Sequence, residues 1–304
     1  MPCCDASSLL DWLKSMLARI PAIAGYSLIY SPLHMNKSTM LIFALLASLW
    51  SQPLLAADDR LVLTGSSTVA PLVQEIGKRF EKLNPGVRID VQIGGSTRGV
   101  NDARMKLADI GMASRALKPE ESDLTAYTIA TDGISIILHH SNPVTPLTDE
   151  QIVAIFTGQM TNWREVGGID KQITVVNKAE GHSTLELFLH HFGLKNSQVK
   201  ASVVIGDNEQ GIKTVVGNPG AIGYISIGTA EYDIEHGVPI RLLPMHGISA
   251  TTEHVRDGSF PLSRPLNLVV KGQPGDLARR FIEFAGSSRV NDLVKDQYFV
   301  PPER

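Results

Sequence analysis

The stretch LVLTGSSTVAPLVQEIGKRFEKLNPGVRIDVQIGGSTRGV, residues 61–100, decides the fold. LVL (61–63) is a short apolar run that reads as a strand, and TGSST carries hydroxyls and glycine from it into a helix. Val69, Leu72, Val73, Ile76 and Phe80 recur at i, i+3, i+4, i+7 and i+11, one stripe of a 3.6-residue period. Asn84-Pro85-Gly86 stops that helix. Val87, Ile89, Val91 and Ile93 then alternate with period 2, the pattern of a half-buried strand. GGSTRG (94–99) opens a second helix over about 98–107, and ADIGM (108–112) is a third short strand. Strand, Ser/Thr/Gly loop and helix in repetition predict an α/β protein with a mostly parallel sheet.

Outward from this unit the pattern recurs. After Ser141-Asn142-Pro143 come a helix in DEQIVAIFTG, a strand ITVVN (173–177), the loop AEGHST and a helix LELFLHHF (185–192). AIGYISI (221–227) is a further strand, NLVV (267–270) another, and LARRFIEFAGS a closing helix. Two apolar strands, GISIIL (133–138) and PLNLVV (265–270), are placed to cross between two lobes. One lobe is expected from residues 58–134 plus 266–304 and the other from 135–265.

The chain has 304 residues, enough for one large or two medium domains, and its composition is that of a folded globular protein. A net charge of −3 removes the electrostatic case for nucleic-acid binding. The two cysteines, Cys3 and Cys4, make neither a disulfide framework nor a zinc site. Lys37, the apolar run MLIFALLASLW and small residues at Ala56 and Ala57 read as a secretory signal peptide over 35–57. Residues 1–34 lack that logic and read as an upstream, non-native extension. The exported chain is then free of cysteine, which suits an oxidising compartment.

Three loops each leave a strand and enter a helix with hydroxyls and glycine: Gly65–Thr68, Gly94–Gly99 and Glu180–Thr184. The first turn of a helix has free N–H groups and a partial positive charge, so it attracts an anion. In an open α/β sheet such loops gather at the carboxyl ends of the strands. The plainer alternative is that these Ser and Thr residues are ordinary helix caps. Arg98, Arg115 and Lys178 lie in or beside the loops and are candidate cations.

LTGSSTVAPL, GGSTRG, ADIGMASRAL, IFTGQMTNWREVGG, PGAIGYIS and FPLSRPLNLVVKG, in this order, resemble the periplasmic phosphate-binding proteins of ABC transporters. The resemblance runs from about residue 60 to 301. It implies a type II periplasmic-binding-protein fold, two hinge-linked lobes, each a mostly parallel sheet flanked by helices, with phosphate held between them. Carried over by motif, the expected ligands are Ser67, Thr68 and the N–H of Val69 in the first loop, and Ser96 with Arg98 in the second. Ser114 or Arg115 stands where many members have an aspartate. The far lobe supplies Lys178, His182, Ser183 and Thr184, with Lys in place of the family's Arg and His in place of a Ser. Phosphate near neutral pH carries about −1.5 to −2 charges and retains a proton. An acceptor for that proton separates it from sulfate. Ser114, Thr68 and Asp132 are the candidates. His182, if protonated, would act as a pH-dependent donor.

The resemblance further implies import through an inner-membrane ABC permease and its ATPase, a periplasmic location and a monomer, with no cofactor. Capture of sulfate or arsenate, and an exported phosphatase-like relative, are the alternatives; a sensory or adhesion protein on the same fold is a third. No nucleophile elbow, Walker A loop or zinc-protease motif supports an enzyme. His139-His140 and His190-His191 suggest metal only superficially: adjacent side chains on a strand or helix point apart, so neither pair faces one ion, and no metal is expected.

Overall fold

The computed structural model describes residues 59–303. The expected leader, the upstream segment and both cysteines lie outside the described residues. The chain runs β1 (Asp59–Gly65), α1 (Ala70–Leu83), β2 (Val87–Ile93), α2 (Ser96–Arg104), β3 (Ile110–Ala113) and β4 (Leu124–His139). There follow α3 (Asp149–Phe156), β5 (Thr174–Lys178), α4 (Ser183–His191), β6 (Val203–Ile205), α5 (Asn208–Gly217), β7 (Ala221–Ser226), α6 (Ile227–Glu235) and β8 (Ile240–Leu242). The last elements are α7 (Thr252–Arg256), β9 (Ser263–Lys271), α8 (Asp276–Ala285) and α9 (Asn291–Asp296).

The strand order is β2-β1-β3-β9-β4-β7-β5-β6, with β8 alongside β4. β1 pairs parallel with β2 and β3, and β5 pairs parallel with β6 and β7. β4 and β9 run antiparallel to their neighbours and join the two parallel groups into one curled sheet. The class is α/β, two-lobed, with helices on the sheet faces. β4 is 16 residues long and serves both groups: Leu124–Gly133 pairs with β9, and Ile134–Leu138 with β7. The sequence reading found only its second half, because Thr125, Tyr127 and Thr128 break up the apolar run of the first.

The expected stripe of α1 is buried: Leu72, Val73, Ile76 and Phe80 pack with Leu61, Leu63, Leu266, Leu268, Phe281 and Phe284. Ring centroids of Phe80 and Phe281 stand 5.3 Å apart edge to face. Burying each such side chain contributes roughly 1.5–3 kcal/mol. A second core holds Ile134, Ile136 and Leu138 of β4 with Phe156, Trp163, Phe188 and Tyr224. Ile137, on the opposite face of the same strand, enters a third core with Val176, Ile205, Ile212 and Ile225. That alternation is the period-2 geometry of a strand buried on both faces.

One close approach sets the distance between the first two loops. A Cβ on Gly99 would lie 2.5 Å from the Thr64 carbonyl oxygen, and one on Gly111 would lie 2.3 Å from the carbonyl of Gly99. Only glycine lets α2 settle this tightly on β1 and β3, and so bring Ser96 beside Ser114.

Candidate functional site

Helices α1, α2 and α4 start at the three loops singled out above, and none has a side-chain hydrogen bond at its N-cap. By contrast, Thr148, Asp207, Ser226 and Thr251 cap α3, α5, α6 and α7. The two C-terminal helices, α8 and α9, also lack a side-chain cap. In the first loop Ser66 accepts from the N–H of Thr68 at 3.2 Å and of Val69 at 3.4 Å, a hydroxyl the sequence reading passed over. Ser96 accepts from the N–H of Ser114 at 3.1 Å. Buried Ser183 Oγ has no hydrogen-bond partner among the described residues. Capping therefore does not explain most of the hydroxyls gathered here.

What unites them is Arg264, which the sequence reading missed. It is only 2% exposed and stands directly opposite Asp132 in the β4–β9 register. Its Nε and Nη2 donate to Asp132 Oδ2 at 3.1 and 2.8 Å. Nη2 also donates to Thr68 Oγ1 at 3.2 Å, while Nη1 donates to Thr184 Oγ1 at 2.9 Å and Ser114 Oγ at 3.3 Å. Three of the expected hydroxyls, two from the β1–β3 side and one from α4, thus meet on one guanidinium. Since each oxygen accepts from Arg264, the O–H groups of Thr68 and Thr184 are left to donate, while Ser114 also accepts from Ser66 at 3.0 Å and faces Ser96 Oγ at 3.5 Å. Asp132 takes a third hydrogen bond, from the Gly228 N–H at 3.2 Å.

Lys178, at the end of β5, is buried, and its Nζ donates to Asn208 Oδ1 at 2.9 Å. Asn208 in turn donates from Nδ2 to Thr68 Oγ1 at 3.3 Å and Thr229 Oγ1 at 3.2 Å. Burial is the main cause that brings the Lys178 ammonium down to about 7; Asp207 opposes the shift and Arg264 adds to it. Burial also lowers His182, with Lys178 adding to the effect, so the neutral imidazole is favoured. The expected His182 donor depended on protonation, and burial works against that form. His182 lies instead against the seam where Gly95 approaches Gly181.

Two nominated cations are not in the cluster. Arg98 is exposed and pairs with Asp102 at 3.2 Å, one turn along α2. Arg115 is buried, yet it donates Nη1 and Nη2 to the Glu121 carboxylate at 2.7 and 2.8 Å and lies 3.1 Å from Glu186 Oε2. Ser67 is partly buried beside the cluster, with no side-chain bond to Arg264. Glu186, on α4, also approaches Lys118 at 3.1 Å and accepts from Thr97 Oγ1 at 3.1 Å. The Thr97 N–H donates to the Gly181 carbonyl at 3.0 Å. This second cluster ties the α2 and β3 loops to α4.

The arrangement can hold a small polyoxygen anion: hydroxyl donors, helix starts, a carboxylate-compensated guanidinium and an ammonium, all buried. The family model described as "PBP superfamily domain" matches residues 51–289. A phosphate ABC transporter substrate-binding protein from Clostridium perfringens, solved with bound phosphate, is 32% identical with a TM-score of 0.75, covering 81% of this chain and 100% of that one. An ABC-type phosphate transport receptor from Vibrio cholerae is 29% identical with a TM-score of 0.66, covering 80% and 100%. The phosphate-binding protein PstS of Borreliella burgdorferi is 28% identical over 277 residues, 88% of this chain and 99% of its own. Fold and relatives agree: the chain belongs to the PBP superfamily, among its PstS-like phosphate-binding proteins.

Proposed function

We infer that this protein captures inorganic phosphate in the cleft between its lobes for import by an ABC transporter. The observation that carries the reading is the meeting of Thr68, Ser114 and Thr184 on Arg264, with Lys178 behind them. Phosphate would take donated hydrogens from those hydroxyls, from Ser96 and Ser183, and from the N–H groups opening α4; the expected Val69 N–H is held by Ser66 and the Thr97 N–H by Gly181. Arg264 replaces the guanidinium that the α4 loop lacks, delivering it from β9 instead. The lobes, proposed as 58–134 plus 266–304 and 135–265, would close about β4 and β9, and the Glu186 contacts would hold the closed form. Among the described residues no helix is long and apolar enough to cross a membrane. We place the exported protein in the periplasm as a monomer, delivering its ion to an inner-membrane permease and its ATPase. It performs no chemistry; selectivity is hydrogen-bond counting in a dry cleft.

Calorimetry of the purified protein, stripped of anion, with phosphate, sulfate and arsenate at pH 6 and 8 tests this. Phosphate is expected to bind more tightly than sulfate. Equal or tighter sulfate binding overturns phosphate capture, and turnover of a phosphomonoester overturns the purely binding role.

A further inference from the structure

Away from the cleft, three metal-ligating side chains converge from distant parts of the sequence. Asp149 stands in the first turn of α3, His191 is the last residue of α4, and His246 sits at the tip of a tight turn. Met245 and Ile248 exchange backbone hydrogen bonds at 2.9 Å across that turn. His246 and Gly247 both have positive φ, 51° and 78°, between them. A non-glycine residue rarely adopts this conformation, and here it presents the imidazole to Asp149. His246 Nε2 lies 2.9 Å from Asp149 Oδ2, and His191 Nε2 lies 3.8 Å from the same oxygen. One ligand atom from each residue lies within 4.8 Å of the others. His191 Nε2 is buried without a hydrogen-bond partner among the described residues.

From this juxtaposition we propose that Asp149, His191 and His246 form a binding site for a divalent transition metal, with Zn2+ as the natural occupant. Two imidazole nitrogens and one carboxylate oxygen are the donor set that Zn2+ takes in sites with three protein ligands and water in the fourth position. With bonds of about 2.0–2.2 Å in tetrahedral array, donor atoms stand roughly 3.4 Å apart, between the two separations to Asp149. The third pair closes by about 1.4 Å at most, within reach of side-chain rotation. A groove of about 440 Å³, lined by Pro146, Asp149, Glu150, Pro244 and His246, leaves the remaining position open to water. A cation there faces the negative end of α4 and the positive start of α3, so the carboxylate of Asp149, not the helix termini, supplies the attraction.

His190 and His191 still point apart and cannot share one ion. His191 instead meets residues 42 and 55 positions away, which no local spacing reveals. The ion would tie the start of α3, the end of α4 and the 245–248 turn together. It lies roughly 12 Å along α4 from Ser183, so it is separate from the anion site.

The full chain is treated with chelator, exchanged into phosphate-free buffer, and titrated calorimetrically with ZnCl2. One equivalent is expected to bind. His191→Ala and His246→Ala should each weaken it at least ~10–100-fold, since losing even an outer partner of a metal ligand costs that much. Zn2+ should raise the melting temperature of the parent but not of either variant. Co2+ should bind with the visible absorption of a tetrahedral site, and Mg2+ should give no heat. Phosphate affinity of His246→Ala should match the parent, which keeps this test independent of the proposed function. No stoichiometric Zn2+ binding, or binding unchanged in both variants, overturns the proposal.

Discussion

Arg264 and Arg115 are both buried, both paired with a carboxylate, and both within reach of α4, yet their surroundings assign them different work. Arg264 has one carboxylate, Asp132, and turns its remaining donors to hydroxyls from both sides of the cleft. Arg115 has two, Glu121 and Glu186, and Lys118 shares the second, so two cations meet two carboxylates and the charges cancel. A guanidinium matched by one carboxylate leaves the hydroxyls around it able to greet an anion. One whose nitrogens all face carboxylates has none left for an anion and serves as a latch. Burial and charge alone do not identify an anion ligand; the donors left over do.

Substitution at Arg264 should have the largest effect. Arg264→Ala should abolish phosphate binding and also destabilise the fold by about 3–5 kcal/mol, because it strands Asp132. Arg264→Lys keeps the charge compensated but loses the planar fork, so calorimetry should read a loss of roughly 10–100-fold in a protein that still melts cooperatively. If Arg115→Lys costs as much as Arg264→Lys, the distinction between the two arginines fails.

Lys178 comes next. Its ammonium attracts the anion and is protonated in the anion-free protein only below about pH 7. Above that, binding must take up a proton, so affinity should fall with rising pH by up to tenfold per unit. Lys178→Met should weaken binding at pH 6 by about tenfold, some 1.4 kcal/mol. It should also flatten the slope between pH 7 and 8.5 relative to the parent; an unchanged slope would show that Lys178 does not titrate in the cycle.

Glu186→Gln sharpens the latch half of the comparison. It should speed phosphate release in stopped-flow measurements and weaken affinity only several-fold, about 1 kcal/mol, because Glu186 is partly solvated. The smallest effect belongs to Arg98→Ala, expected within about twofold of the parent, since an exposed ion pair contributes only about 0–1 kcal/mol.

Much of this was legible in the chain. The α1 stripe, the alternation of β2 and the three Ser/Thr/Gly loops follow from periodicity and turn chemistry, which are local. One error was legible as well. Arg98 is two residues from Ser96 on a helix, so about 200° around the axis, and cannot share its direction. Arg115 lies in the bend that follows β3, and the chain turns its guanidinium to Glu121 while Ser114 stays with Ser66. Arg264 is different. FPLSRPLNLVVKG marks it as a charge at the start of an apolar strand, but its worth depends on Asp132, 132 residues away. Asn208 was hidden for the same reason: its partners Lys178 and Thr68 come from elsewhere in the sequence. The clue available was a pair of opposite charges at the entrances of the two strands expected to cross between lobes.

That clue bears on how capture begins. Asp132 and Arg264 face each other on the two strands that the lobes share. A group mounted on an axle travels least when the leaves of a door swing. If the halves part about β4 and β9, the guanidinium stays where it is while Thr184 departs with one leaf and Thr68 with the other. An incoming ion would then dock first at the spindle, and the leaves would fold in upon it one hydroxyl at a time.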